Sequence, residues 1–535
     1  MRDVTRRLAL PSVIVIGLDA AEVSLVRRFM AEGGMPTLAS LAERGVMGGL
    51  SSVGDLSAEA VWPSFLYGVH PGKHGLFGSY QIRPGTLDVE PTEAHDNLHQ
   101  PFYAEAQQDP PRAIVLDVPK SYAYPSDRNV CLVAWGAHAA RATGASHPPE
   151  LLSRVVRDVG HYPLPLLAQE DDVHDVSYYR DLRRRLLDGV GARKRLHRYF
   201  LEREPSDLFM TVFSETHVAG HRFWHFMDEG HPWHDASAPA DLKTAIRDVY
   251  AAVDAAVGNL VRRLPDDVTV LVVSVHGMTA NYNAQELLPR FIERYCGVDN
   301  STSRRSLGGR LVARGALAVR SLAPPAIRAR VKQRVPGPLR QRFRSQYLKA
   351  LWGWDRWPEM RVFCTPTEDH GYIRVNLKGR EPEGLVEPGT EYEKLLSELT
   401  EELLSLRDVE SGCPVIGSVL RPQEKYPGPA ASRMPDLVVH WAPGVPIRGL
   451  RSARFGDIVR APRLQHRSGL HQPDGFLVAV GPGVARVARP ADAHILDIAP
   501  TILTLLRRPV PPHLDGSVIA HIAPDRQEAR QHAEA

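Results

Sequence analysis

The chain is short of cysteine: four in 535 residues, Cys131, Cys296, Cys364 and Cys413. They stand far apart and form no CxxC pair, so neither a disulfide framework nor a thiolate zinc site is expected. Long apolar runs are missing too. The N-terminal candidate, SVIVIGLDA behind a charged start, is too short to span a bilayer and runs into Asp19 without a small-residue cleavage site. It is expected as a first strand, and the protein as cytoplasmic with no transmembrane segment. Nothing matches a P-loop, a GxGxxG unit or a nucleic-acid-binding module, so no specific nucleic-acid partner is expected. Acidic residues are absent from one block: residues 301–350 carry thirteen Lys/Arg and no Asp or Glu, although the whole chain is only +3. The rest is therefore net acidic. Such a block is ordinarily a solvated basic face; the sharper alternatives are an anionic substrate, an acidic partner or contact with an anionic surface.

What remains is ordinary globular composition, 43% hydrophobic and 24% charged. Five near-continuous apolar runs predict strands covered on both faces: SVIVIGLDA (12–20), RAIVLDVP (112–119), DLFMTVFSE (207–215), DVTVLVVSVHG (267–277) and GFLVAVGPG (475–483). Helical patterns lie between them at 21–32, 243–264 and 391–408. This alternation predicts an α/β fold with a mostly parallel central sheet flanked by helices. The Pro/Arg-rich stretch 297–360 interrupts it and is expected as an inserted basic helical cap. It divides the core into 1–296 and 361–522 and leaves a polar tail, 523–535. Ligands of such sheets bind beyond the carboxyl ends of the strands, where Asp19, Glu215 and His276 all stand.

The densest polar cluster is SETHVAGHRFWHFMDEGHPWHD (214–235). On a helix, His217 and His221 are one turn apart and can meet one metal from the same face; in a polar loop they need bind nothing. His471 stands in a Gly/Pro-rich turn before the last strand. His276 ends the run LVVSVHGM, where a satisfied core histidine is the commoner outcome. Asp19 is either a helix N-cap or a ligand. The stretch SAEAVWPSFLYGVHPGKHGLFG (57–78) offers two hydroxyls, Ser57 and Ser64, ahead of a basic turn. A hydroxyl needs activation to attack an ester, and a bound metal can supply it. GYIRVNLKGREP (371–382) gathers Arg374, Asn376, Lys378 and Arg380. Alternate strand positions would put the first three on one face, to contact phosphate or simply to meet solvent.

In this order the pieces resemble the alkaline phosphatase superfamily, in its type I phosphodiesterase/nucleotide pyrophosphatase branch. The matching stretches are VIVIGLDA (13–20), GGMPTLASLAERG (33–45), WPSFLYGVHPGKHGLFG (62–78), HVAGHRFWHFMD (217–228), VVSVHGM (272–278), GYIRVNLKGREPEGLV (371–386), SGLHQPDG (468–475) and ILDIAPTILTLL (495–506). The resemblance implies an alkaline phosphatase-like core, a two-metal site and a Thr or Ser that attacks phosphorus. It implies Asp19 and His276 as ligands of one cation, and His217, His221 and His471 as ligands of the other.

Three departures stand out. His217 replaces the aspartate of an Asp-x-x-x-His pair. Val275 replaces the aspartate of Asp-His-Gly and cannot ligate. Ala58 stands where the nucleophile is expected, with Ser57 one residue earlier; Ser57 is favoured over Ser64. One site then becomes three imidazoles, a neutral set suited to zinc, with manganese or iron as alternatives. The other has Asp19, His276 and either Ser57 or Glu215, so one or two ions are expected. No C/S-x-P-x-R motif in the N-terminal quarter points to a sulfatase. The implied function is a phosphohydrolase that cleaves a phosphodiester or pyrophosphate bond of a small phosphorylated substrate. Arg374, Asn376, Lys378 and Arg380 are its candidate substrate-binding residues. The alternatives are a phosphomonoesterase or phosphomutase, and a degenerate member that binds phosphorylated ligands or a partner without turnover.

Overall fold

Val13–Leu18 is buried at every position, and its side chains divide by parity. Ile14, Ile16 and Leu18 enter one hydrophobic cluster, Val13 and Val15 the other. A strand of period two with helices on both sides produces this division, and it explains why the run reads as continuously apolar. The computed structural model describes residues 10–92, 98–104, 109–136, 144–164, 175–298, 354–367, 369–444, 446–460, 467–486 and 492–523. The expected cap is therefore described only at its two ends, and the basic block 301–350 and residues 524–535 of the tail lie outside the described residues.

Among the described residues, nine strands form the main sheet, in the order Ala493–His494, Val46–Ser51, Gly475–Val480, Thr269–Ser274, Val13–Leu18, Leu208–Phe213, Ala113–Leu116, Val130–Val133 and Ala145–His147. The five from Thr269–Ser274 to Val130–Val133 are mutually parallel. Gly475–Val480, expected among the core strands, runs antiparallel to both its neighbours. One face packs against the helices Val23–Ala31, Pro36–Arg44, Val176–Leu201, Glu215–Met227 and Ala245–Val261. The other packs against Ala58–Tyr67 and Ile498–Leu505. None of the described helices is long and apolar enough to cross a membrane.

The stretch expected to complete the core, 361–522, divides in two. Its last part returns to the main sheet. Its first part builds a separate antiparallel layer of the strands Val362–Thr365, Gly371–Val375, Leu437–Trp441 and Ile416–Leu420. With the helices Leu288–Tyr295 and Thr390–Ser405 this layer has its own core, in which Trp357, Phe363, Ile373 and Leu399 are buried. MPDLVVHW (434–441) is an ordinary strand of this layer.

The exits of three parallel strands turn through left-handed backbone at non-glycine residues: Ala20 (φ 51°), Asp117 (φ 53°) and Ala134 (φ 55°). Each such residue costs about 1–3 kcal/mol and persists only where its surroundings fix it. At two of these exits the fixing group is Arg193, fully buried on the helix Val176–Leu201. Its Nε donates to Glu215 Oε1 at 2.8 Å, its Nη1 to Asp117 Oδ2 at 3.0 Å, and its Nη2 to the Gly136 carbonyl at 2.6 Å. Tyr162 adds a hydroxyl donor to Glu215 at 2.7 Å. Glu215 is thus committed to a buried ion pair and is not available as the ligand considered from sequence. Arg193→Met leaves two buried carboxylates facing no cation, a loss of about 3–5 kcal/mol. Urea denaturation of the variant checks this; a loss below about 1 kcal/mol contradicts it.

Candidate metal centre

The strand Leu208–Phe213 ends at the carboxyl edge of the sheet, and the helix Glu215–Met227 starts one residue later. Nearly all of that helix is buried, so the histidine-rich stretch is a core helix there and not a polar loop. His217 and His221 project from it one turn apart. His471 arrives on the short strand Gly469–Gln472, which pairs antiparallel with Gly277–Ala280. Two glycines permit the approach. A Cβ on Gly469 would lie 2.3 Å from the Gly220 carbonyl oxygen, and one on Gly220 would lie 2.9 Å from Met278 Cγ. Any side chain at residue 469 would push the strand off the helix and His471 away from its partners.

The three imidazoles converge. His217 Nε2 lies 2.9 Å from His471 Nε2, and His221 Nε2 lies 3.1 Å from each of the others. Their other faces are held from outside. His221 Nδ1 donates to the Gly469 carbonyl at 2.7 Å, and His471 Nδ1 donates to Asp369 Oδ1 at 3.0 Å. Anchoring Nδ1–H leaves the Nε2 lone pair of His471 directed at the common centre, as in metal sites whose histidines are oriented by a second hydrogen bond. His221 Nε2 faces the same centre but also receives an N–H from Arg467. Burial, followed by the nearby Arg467 and His471, pushes the pKa of His221 well below its usual value, so the ring is neutral and able to ligate. The Arg467 guanidinium lies against this ring, with Nη2 2.7 Å from His221 Nε2. Among the described residues these three histidines form a group able to hold a metal ion, all three buried.

The second expected set does not assemble in the same way. His276 Nε2 is 4.0 Å from Asp19 Oδ1, and the His276 ring centroid is 4.9 Å from that of His471. Asp19 Oδ1 already accepts the Trp62 indole N–H at 2.7 Å. Val275 is fully buried within the hydrophobic cluster below.

Ser57 is the N-cap of the helix Ala58–Tyr67, and its Oγ accepts the Glu59 N–H at 3.1 Å. The loop before it is gripped by the antiparallel layer. His370 Nε2 donates to the Gly54 carbonyl at 2.8 Å, His440 Nε2 to that of Asp55 at 2.6 Å, and the Tyr372 hydroxyl to that of Leu56 at 2.8 Å. Ser64 is fully buried and bonded to His74 Nε2 at 2.9 Å, a packing hydroxyl. The basic turn at 70–75 forms a short helix whose Lys73 pairs with Asp515.

The proposed phosphate contacts stand elsewhere in the layer. Arg374 donates to Glu381 Oε1 and the Met434 carbonyl, both at 2.7 Å. Arg380 pairs with Glu381 and Asp436, and Asn376 Nδ2 donates to the Trp357 and Met360 carbonyls. Lys378 is exposed and paired with Glu387. The strand ends at Val375, so Asn376 and Lys378 do not share a strand face with Arg374.

Two residues escaped the sequence reasoning. Asp369 is one: burial raises its pKa, but His471 and Arg467 pull it down further, well below the usual carboxylate range. The signal was present, because an Asp-His-Gly tripeptide stands intact at 369–371 while Val275 interrupts the expected one. Lys120 is the other; it pairs with half-buried Glu59 in the first turn of the Ser57 helix and helps hold that carboxyl at about 2, against desolvation, which would raise it.

The sequence profile of the type I phosphodiesterase/nucleotide pyrophosphatase family matches residues 13–454. The chain belongs to that family. It is thereby a member of an enzyme family of phosphoric ester hydrolases. No curated protein sequence matches it. Among solved structures, phosphonoacetate hydrolase from Sinorhizobium meliloti 1021, in complex with phosphonoformate, superposes with a TM-score of 0.52 at 14% identity, covering 94% of this chain and 96% of that one. The same enzyme with phosphonoacetate gives 0.52 at 13%, with the same coverage. Human ectonucleotide pyrophosphatase/phosphodiesterase 5 gives 0.48 at 12%, covering 96% of this chain and 99% of that one. At such identities the likeness to the hydrolase is one of fold: the mostly parallel sheet flanked by helices.

Asp369→Ala frees the His471 ring to turn. Zinc affinity, measured by chelator competition, is expected to fall about 10–100-fold; unchanged affinity would show that Asp369 does not orient this ligand.

Proposed function

We propose that the protein is a metal-dependent phosphohydrolase that cleaves a phosphodiester or pyrophosphate bond of a small anionic substrate. The observation that carries this is the convergence of three buried imidazole Nε2 atoms, 2.9–3.1 Å apart. Three neutral nitrogen donors suit zinc, with manganese or iron as alternatives. His217, His221 and His471 would hold a divalent cation without neutralising its charge, and that cation would supply Lewis-acid polarisation of a phosphoryl oxygen.

The remaining roles belong to the chain itself. Gly469 and Asp369 fix the orientation of two of the rings. Ser57 is the proposed attacking hydroxyl. Its oxygen sits at the N-terminus of the Ala58–Tyr67 helix and receives the Glu59 N–H, both of which favour negative charge on that oxygen. The grip of His370, His440 and Tyr372 on residues 54–56 holds that hydroxyl in place, which lowers the entropic cost of attack. Arg467 offers a guanidinium beside the centre to receive phosphoryl oxygens. Arg374, Asn376 and Arg380 serve the layer's internal packing. The small phosphonates named in the fold neighbour's complexes support a compact anionic substrate.

A second proposal, a ligand-binding protein without turnover, draws on Val275 and on the Trp62 bond to Asp19. Hydrolysis separates the two. Metal-stripped protein resupplied with zinc or manganese is expected to cleave bis-p-nitrophenyl phosphate in preference to p-nitrophenyl phosphate, and His217→Ala to fall to background. Preference for the monoester moves the function to a phosphatase. No cleavage of either ester with either metal overturns the hydrolase in favour of binding.

A further inference from the structure

The family resemblance implies two cations, and the site departs from that most clearly at Asp19. Its backbone is fixed on both sides: the amide donates to the Phe213 carbonyl at 3.0 Å, and its carbonyl accepts the Thr216 hydroxyl at 2.7 Å. The carboxylate sits at the exit of the central strand with no exposed surface. Upon it, from the opposite layer, comes the indole of Trp62, which is 3% exposed and donates Nε1–H to Oδ1 at 2.7 Å.

This contact is built into the sheet. Trp62 lies across the strand Val13–Leu18 at Gly17, where a Cβ would stand 2.7 Å from the ring atom Cη2 and 2.8 Å from Val212 Cγ2. Gly17 has an ordinary backbone angle, so the space is taken by the tryptophan and not by a turn. The ring is then locked edge-to-face against Phe65, centroids 5.5 Å apart. A buried carboxylate needs charge or hydrogen-bond compensation. Here an indole donor supplies part of it on the oxygen that also faces His276, 4.0 Å away. Among the described residues no third histidine, cysteine or carboxylate joins Asp19 and His276 in a metal-holding group, and Val275 lies in the apolar cluster with Leu271 and Val273. Glu22, the other carboxylate at this exit, is occupied by the Ser24 and Met278 amides and the Gln472 side chain.

We propose that the protein binds a single divalent cation, at His217, His221 and His471, and that the Trp62 indole N–H takes the place of the second cation on Asp19. The inference rests on the histidine triad holding a metal, and goes beyond it in fixing the stoichiometry and giving Trp62 a role. Asp19 is then a residue that holds Trp62 and the strand exit, not a ligand. His276 stands beside the triad without joining it.

The test is zinc stoichiometry of the full-length, metal-stripped chain, by calorimetric titration and by elemental analysis after gel filtration. One equivalent is expected for the natural chain and for Asp19→Asn and His276→Ala, and none for His471→Ala. The Trp62 indole proton, followed by NMR, is expected to stay protected from exchange at zinc saturation. The double variant Trp62→Phe/Val275→Asp, which restores a carboxylate and removes the indole donor, is expected to take up a second equivalent. Two equivalents in the natural chain, one of them lost in Asp19→Asn, overturn the proposal while leaving the hydrolase standing. No uptake at all overturns both the single-cation site and the metal dependence of the proposed function. One equivalent without ester cleavage supports the stoichiometry and removes the hydrolase.

Discussion

The site depends on how closely the helix Glu215–Met227 meets the strand Gly469–Gln472. The Gly220 carbonyl and the Cα of Gly469 approach within a distance that admits no side chain. That contact places His221 and His471, 250 residues apart in sequence, with their Nε2 atoms 3.1 Å apart. The interior is close-packed, so a displacement of even one methyl group at this contact would reach the histidines directly. The surrounding sheet makes the contact rigid. Parallel strands deliver the helix start and His276 to one edge, while an antiparallel strand follows His471 back into the same core.

The smaller antiparallel layer does more than cover that edge. It supplies Asp369 to His471, and it binds the three residues before Ser57 through His370, His440 and Tyr372. Orientation of a candidate metal ligand and placement of the candidate nucleophile therefore both run through a layer with its own hydrophobic core. Loss of packing in this layer would be felt at the centre without any change in the histidines. The charged residues that looked like substrate contacts, Arg374 and Arg380, hold this layer together through Glu381 and Asp436.

Much of this was legible in the sequence because it rests on short-range patterns. Continuous apolar runs marked strands covered on both faces, and the four-residue spacing of His217 and His221 marked one helix face. Val275 was visible as a departure. Asp369 was not found, although an intact Asp-His-Gly stood there, because its partner His471 lies 102 residues further along. Nor could spacing show that Arg374, Asn376 and Arg380 would turn inward, since the Met434 carbonyl, the Trp357 carbonyl and Asp436 that receive them come from separate segments. The Trp62 bond to Asp19 depends on the space above Gly17, which no local pattern records.

X-ray absorption at the zinc edge of the zinc-loaded protein tests the three-histidine centre most directly. Three imidazole nitrogens at about 2.0–2.1 Å are predicted, with the imidazole scattering reduced in His217→Ala. A first shell dominated by carboxylate oxygen, or one that His217→Ala leaves unchanged, would contradict the account.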